Sequence, residues 1–469
     1  MYNYGNTNTD PQLVSSMQNS KVYKRTLLGT SVEEITVPEK NILQRENPFV
    51  AFQDTKTGSY FGITKDILAR GTLTIGSAGT GKTNLLNMII CRLLQFLLPT
   101  EKVVLFDTKG DAYREFGNKI DGKDCYVIGN GREYHAITRY WNIFGEMMPK
   151  DARGNFVYQG EESDIDAFEM ASALFEEMQS QTQPIFPAMS EQIVASVLIY
   201  FMRKYCPASQ HFLNNQKFSE FFMSANNEDF KKIYDEPFMK DQRKCLDYIS
   251  NGKSNQTQGV NSYIGSVLRK VFIGPFAKAD LNREFSMREL IKSDEKAVVF
   301  IEYDLVLGST LGPVYKILID QALKYALGGH EEKRSSLYAV IDEWPLLPKL
   351  KHMSNALCFG RSQGVKLLCG CQNIAAIEEK YQEIGAANIM SAFQTMIAFK
   401  LNDLKSRKFV TEQLGENYQN ISFSAQNDSC NVQREVHTVE DWHLRMLQKG
   451  EAIVSLADRE PFLFHFPKY

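Results

Sequence analysis

The sequence predicts an α/β fold, a mostly parallel sheet with helices on both faces, into which an all-α domain is inserted. Three observations carry this. Short apolar runs recur at residues 103–107, 297–303 and 337–343, continuous rather than alternating. Such runs read as strands buried on both faces, as in a parallel sheet sandwiched by helices. Helical spacing takes over from about residue 156 to 276, where almost no strand signal is found. Finally, an unbroken G-x-x-x-x-G-K-T octet joins the β-rich run at 72–75 to a mostly apolar run at 84–98. Strand, glycine loop and helix are the context a phosphate-binding loop needs.

Composition bounds the answer. A chain of 469 residues is too long for one simple core, so two or three domains are expected. With 43% hydrophobic and 23% charged residues it is ordinarily globular. The net charge of −3 excludes a globally basic protein, so any nucleic-acid surface must be a local patch. The eight cysteines form no C-x-x-C pair and read as reduced thiols without a metal site, in a cytosolic protein. No signal peptide is visible. The run at 85–98 contains Asn87, Arg92 and Gln95 and ends at Pro99, too short and polar to span a bilayer.

Taken in order, residues 1–45 read as a flexible N-terminal arm, polar over the first 20 positions. Residues 46–150 form the first part of the nucleotide-binding domain. It opens with a hairpin at 49–63 around Asp54-Thr-Lys-Thr-Gly58, and strands follow at 73–76, 103–107 and 125–129. Residues 151–280 form the inserted all-α domain, with helical runs at 165–175, 193–202, 218–222, 230–234 and 259–272. The alternative is a set of core helices with no domain of their own. Residues 281–469 complete the nucleotide-binding domain, with strands at 297–303, 337–343, 366–372, 396–400 and 452–456.

The octet is Gly76, Ser77, Ala78, Gly79, Thr80, Gly81, Lys82 and Thr83; with Asn84 beyond it, these are the expected ATP contacts. Its glycines let backbone N–H groups turn inward around phosphates at a helix N-terminus. Lys82 is expected to reach the β- and γ-phosphates, and the Thr83 hydroxyl to hold Mg²⁺. A second component ends the apolar run 337–341, about 260 residues on, in Asp342 and Glu343. Asp342 is expected to orient the Mg²⁺ shell and Glu343 to polarise the attacking water. That separation exceeds a minimal RecA-like core, and the insert accounts for much of it.

Three further residues stand at or near strand ends. Asp107 either faces the catalytic crevice beyond the strand C-termini or forms the turn before Gly110. Gln372 suits a sensor of the γ-phosphate or water, with a local backbone bond as the alternative. Arg361, in the glycine-flanked segment 359–364, could project into a neighbouring subunit's site, but spacing alone favours a surface arginine.

The stretches Asp342-Glu-Trp-Pro-Leu-Leu-Pro-Lys-Leu, Gly360-Arg361-Ser-Gln-Gly364 and Cys371-Gln372-Asn373 resemble the signature of type IV secretion coupling proteins. These are the DNA-translocating ATPases of bacterial conjugation. Asp107-Thr-Lys-Gly110, Trp141-Asn142 and Gln413-Leu-Gly415-Glu416 are also similar to its pattern, and the resemblance covers roughly residues 50–465. It implies a RecA-like P-loop NTPase core with an inserted all-α domain. It also implies a homo-hexamer with ATP sites between subunits. By motif, Lys82 and Thr83 would bind phosphate and Mg²⁺, Asp342 and Glu343 would be the metal-orienting and catalytic acids, Gln372 the sensor and Arg361 the trans-acting arginine. Implied partners are DNA, a relaxase or relaxosome, and type IV secretion channel proteins.

Most members begin with a membrane-spanning hairpin, which this sequence does not show. A separate membrane-anchor subunit, a soluble variant or a lost segment are the three readings. The expected location is the cytoplasm, with recruitment to the inner face of the cell membrane. The expected function is an ATP-driven motor that moves DNA, with its relaxase, toward a secretion channel. The pairs Arg269-Lys270 and Lys349 with Lys351 are candidate phosphate contacts, although a solvated charged face explains either pair. The alternatives are a soluble hexameric DNA pump in segregation, repair or packaging, and an ATP-dependent adaptor that recruits substrates.

Overall fold

The computed structural model describes residues 21–32, 48–176, 185–249, 254–328, 336–425, 428–457 and 459–469. Its strands in chain order are β1 (Lys21–Gly29), β2 (Val50–Gln53), β3 (Tyr60–Ile63), β4 (Thr72–Ile75), β5 (Lys102–Asp107), β6 (Cys125–Ile128), β7 (Tyr140–Trp141) and β8 (Glu284–Phe285). They continue with β9 (Ala297–Glu302), β10 (Leu337–Ile341), β11 (Val365–Cys371), β12 (Thr395–Phe399), β13 (Glu416–Ala425), β14 (Asp428–His437), β15 (Glu451–Leu456) and β16 (Arg459–His465).

A nine-stranded sheet runs in the order β16-β15-β12-β4-β11-β10-β5-β9-β6. Every pair from β12 to β6 is parallel, and β15 and β16 are added antiparallel. Composition explains the parallel part. β4, β5, β9, β10, β11 and β12 are buried at every position, so both faces need cover.

One face is covered by the helix Lys82–Gln95, which buries Leu85, Leu86, Ile89, Ile90 and Leu93. The hairpin β2–β3 lies on the same side. Its turn is set by Asp54, whose carboxylate accepts from the N–H groups of Lys56 and Thr57, both at 2.8 Å. Phe61 of β3 meets Phe464 of β16 edge-on with ring centroids 4.6 Å apart, and Phe52, Phe462 and Phe466 complete the aromatic cluster. Each buried ring contributes roughly 2–3 kcal/mol.

The other face is covered by the helices Gly308–Leu327 and Met353–Gln363. From there the buried cluster runs without a break, through Phe106, Ile341 and Tyr315, into Phe201 and Met202 of the helical domain. That domain contains Glu161–Phe175, Ile185–Tyr205, Asn215–Ser224, Asn227–Asp235 and Asn255–Val271. Ile185–Tyr205 is long and apolar enough to cross a membrane by length and composition alone. Yet 61% of its most apolar window is buried inside the protein, where it serves as the domain's central helix.

The chain enters and leaves the helical domain at one polar hub. β7 on the way in pairs parallel with β8 on the way out. The Asn142 amide donates to Leu213 O at 2.8 Å, and the Asn215 amide donates to Trp141 O and Phe276 O at 2.7 and 2.9 Å. Glu146 accepts from Trp141 Nε1 (3.0 Å), Met287 N (2.7 Å) and Arg288 N (3.1 Å). Burial pushes its carboxyl up to about 7 against the pull of these donors. The Trp141-Asn142 pair is therefore part of the joint between core and insert.

Several expectations change. Within the stretch read as a flexible arm, Lys21–Gly29 is a strand that pairs antiparallel with β13, and β13 pairs with β14. The other residues of 1–45 outside 21–32 lie beyond the described set. β13 and β14 have no counterpart among the predicted strands because their sequences are largely polar and offer no apolar run. The segment 359–364 does not project. It ends the helix Met353–Gln363, and Gly364 closes that helix in the left-handed conformation at φ 79°.

Glu146→Ala leaves three buried donors without an acceptor. It is expected to destabilise the protein by about 3–5 kcal/mol in urea unfolding. A loss below about 1 kcal/mol would show that the hub is not structurally required.

Candidate active site

The C-terminal ends of β4, β5, β10 and β11 open on one cavity of about 650 Å³. Parallel strands end on the same edge of their sheet, so loops far apart in sequence converge there. Gly79, Lys82, Thr83, Asp342, Glu343 and Gln372 all line this cavity.

The glycine loop is fixed from outside. Gly76 N donates to Cys371 O at 3.2 Å, Ser77 N to Lys400 O at 2.9 Å and Gly450 N to Thr80 O at 2.9 Å. The Ser77 hydroxyl accepts from Asn402 N at 3.0 Å, and Thr80 Oγ1 donates to Ser77 O at 2.8 Å. Gly76, Ser77 and Thr80 thus anchor the loop, while Ala78, Gly79, Gly81, Lys82, Thr83 and Asn84 face the cavity. Gly79 (φ 74°) and Gly81 (φ 132°) hold backbone conformations that side chains rarely adopt. A Cβ on Gly79 would meet nothing within 4 Å, so that stretch of loop is open. Asn84 faces the cavity but its amide is engaged with the C-terminal segment. It donates to Pro467 O at 2.8 Å and accepts from Tyr469 N at 2.6 Å.

The Lys82 ammonium donates to Gly76 O and to Ser77 O, the latter at 3.3 Å. Burial pulls its pKa down, partly offset by the nearby Glu343 carboxylate. Thr83 Oγ1 donates to Asp342, 3.0 Å from Oδ1 and 3.3 Å from Oδ2. Thr108 Oγ1 donates to Asp342 Oδ2 at 3.3 Å. Beside it, Gln372 holds Glu343 at both oxygens: its backbone N–H reaches Oε1 at 3.2 Å and its amide Oε2 at 2.9 Å. Burial raises the Glu343 carboxyl above the ordinary glutamate range, and these hydrogen bonds oppose the rise.

Asp107 is turned away. Its carboxylate accepts from Lys109 N at 3.0 Å and Ala112 N at 2.6 Å, so the turn-forming alternative describes its contacts. Burial raises its carboxyl too. Arg361 is not near the loop of its own chain. It pairs with Asp66 at 2.8 Å, which also holds Arg70 at 2.8 Å, near the starts of β4 and β11. That is the sheet edge opposite the cavity. Lys351 pairs with Glu169 at 3.3 Å, while Arg269 and Lys270 are exposed at the end of the helix Asn255–Val271.

Sequence reasoning passed over Thr108, Lys109, Leu305 and Lys449, which also line the cavity. Lys109 lay inside the quoted Asp107-Thr-Lys-Gly110 segment and was the one findable by its charge at a strand end. Gly370 was passed over as well. A Cβ there would fall 2.1 Å from Asp342 O, so β11 can pass Asp342 only with glycine at this point. No sequence pattern signals that approach.

The cavity and its glycine loop fit a nucleoside triphosphate. The Thr83 hydroxyl and Asp342 carboxylate are hard oxygen donors suited to Mg²⁺. The Lys109 ammonium, 2.7 Å from Thr83 Oγ1, shows that the spot attracts a cation.

The family model of the type IV secretion-system coupling protein DNA-binding domain matches residues 61–441. The coupling protein TraD of Escherichia coli (strain K12) is 25% identical over 130 residues, which cover 28% of this chain and 18% of TraD. Among solved structures, the unbound form of the bacterial conjugative coupling protein TrwBdeltaN70 has a TM-score of 0.73 at 18% identity, covering 94% of each chain. The plasmid coupling protein TrwB in complex with the non-hydrolysable ATP analogue ADPNP has a TM-score of 0.70 at 18% identity, covering 95% of each chain. TrwB in complex with ADP and Mg²⁺ has a TM-score of 0.68, at the same identity and coverage. These structures share the fold, a P-loop NTPase core with an all-helical domain.

Lys82→Met replaces a buried ammonium by an apolar chain of similar length. The melting temperature is expected to stay within about 4 °C. Equilibrium binding of a nucleoside triphosphate is expected to weaken by roughly tenfold or more. Undiminished binding would detach Lys82 from the ligand.

Proposed function

This chain belongs to the type IV secretion-system coupling protein family, and on that premise we propose that it is an ATP-driven DNA translocase. In this reading it delivers DNA, with its relaxase, to a type IV secretion channel in conjugation. The observation that carries the enzymatic part is the meeting of Thr83 with Asp342, and of Glu343 with Gln372, in the cavity of the glycine loop.

The roles follow from geometry. Backbone N–H groups at Gly79 and Gly81 cradle the phosphates of ATP. Lys82 turns from its own loop carbonyls to phosphate oxygens, whose negative charge offsets the hydration it loses on burial. Mg²⁺, held by Thr83 and oriented by Asp342, would neutralise charge on the transferring phosphoryl group. Glu343 takes a proton from the attacking water. Gln372 orients that carboxylate and senses the γ-phosphate end. Asp107 shapes the turn carrying Thr108 and Lys109.

Arg361 serves a neighbouring subunit. Its place on the edge opposite its own cavity suits a residue that acts in trans, and the family supports a homo-hexamer. The negative net charge places DNA contacts in local basic patches. The protein acts in the cytoplasm, recruited to the inner face of the cell membrane.

Glu343→Gln is expected to lower DNA-stimulated ATP turnover by roughly 10²–10⁴-fold while nucleotide binding persists. Unchanged turnover would remove Glu343 as the base. Because burial raises the Glu343 carboxyl, wild-type turnover is expected to fall as pH drops through a value above the usual 4.5. Gln372→Ala removes a bond that favours the charged form, so it is expected to move this acid limb higher still.

Arg361→Ala is expected to lose turnover and to regain it when mixed with Glu343→Gln subunits, since each variant supplies what the other lacks. Mixed rings no more active than either variant alone would place Arg361 outside the shared site.

A further inference from the structure

Lys109 stands on the wall between two cavities. One is the nucleotide cavity. The other, of about 260 Å³, lies at the ends of β5, β6 and β9 and is lined by Tyr134, Glu302 and Asp304. The backbone of Lys109 is pinned, because its N–H donates to Asp107 and Gly110 follows in the left-handed conformation at φ 69°. Its side chain is 55% exposed and is the part free to move.

The Lys109 ammonium donates to Thr83 Oγ1 at 2.7 Å and lies 3.8 Å from Asp342 Oδ2. These are the two side chains that the proposed function assigns to Mg²⁺, and the present inference rests on that assignment. An ammonium and a divalent cation repel strongly at such separations. One must leave when the other arrives.

The second cavity has a receiver. Glu302 is 3% exposed, and its Oε2 accepts from Tyr134 OH at 3.1 Å. Its Oε1 is buried with no hydrogen-bond partner. A buried acceptor left without a donor is costly, and a lysine head offers three donors. Two other charged groups lining the cavity are already engaged, and Glu133 is exposed to solvent. Asp304 accepts from the Asn130 amide and from the N–H groups of Val306 and Leu307. Arg114 is engaged with Gly110 O and with Asp111.

We propose that the Lys109 ammonium competes with Mg²⁺ for the Thr83–Asp342 pair, and that arrival of Mg²⁺ with nucleotide moves it into the neighbouring cavity, onto Glu302. Lys109 is then a positioning residue that sets how much Mg²⁺ the site requires. It also carries the loading state to the ends of β6 and β9.

The test is equilibrium binding of a fluorescent ADP while Mg²⁺ is titrated, with melting temperatures checking that each variant is folded. Lys109→Met is expected to lower the half-saturating Mg²⁺ concentration by roughly tenfold. Lys109→Ala is expected to do the same. Glu302→Gln weakens the receiver and is expected to raise that concentration several-fold. The double variant is expected to match Lys109→Met, since without the ammonium there is nothing to receive.

An unchanged or higher Mg²⁺ requirement in both Lys109 variants would overturn the proposal, as would a Glu302→Gln effect that persists without Lys109. Asp342→Asn in the same titration separates the two readings. If it leaves the Mg²⁺ dependence unaltered, the metal assignment and the inference fall together. If it abolishes that dependence while Lys109→Met changes nothing, only the inference falls.

Discussion

Thr83 and Asp342 meet at 3.0 Å although 259 residues separate them, and a parallel sheet makes the meeting possible. β4 and β10 are not neighbours; β11 runs between them. Parallel strands release their C-termini on one edge, so each following loop is delivered to the same place. The close passage of β11 requires Gly370, because any Cβ there would enter the Asp342 carbonyl. The same strand then ends at Gln372, which fixes Glu343. The relative positions of loop, acids and glutamine are thus consequences of one sheet order.

That arrangement has to tolerate a large detour in the chain between β6 and β9. It does so through a small buried hub rather than a flexible linker. β7 and β8 pair where the chain leaves and returns, and Asn142, Glu146 and Asn215 satisfy the backbone around them. The apolar cluster crosses the same boundary without a gap. Movement of the helical domain against the core would have to break both. The insert is thus continuous with the core rather than strung on a linker.

Three lysines, Lys82, Lys109 and Lys449, share one cavity with two acids, Asp342 and Glu343. Lys82 is satisfied by carbonyls of its own loop, and Lys109 by Thr83 with Asp342 nearby. Phosphates would attract both lysines, whereas a divalent cation would repel Lys109. The two lysines are therefore not equivalent, although both are flexible ammonium groups beside the same loop.

Much of this was legible in the sequence. The octet, the apolar strands and the paired acids are local signals, because strand burial and loop conformation are set by neighbouring residues. The parallel core strands and the helical insert follow from them. The opposite-edge position of Arg361 and the contact of Lys109 with Thr83 were not legible. Each depends on which residues the sheet order brings together, and no spacing along the chain encodes that. β1, β13 and β14 escaped for a different reason: they pair through backbone hydrogen bonds on largely polar sequence and leave no apolar pattern to read. The sequence by itself determined where the loop and its paired acids lie along the chain. Only the tertiary structure decided which charges face each other, because electrostatic pairing depends on distance in space and the distances are set by the sheet.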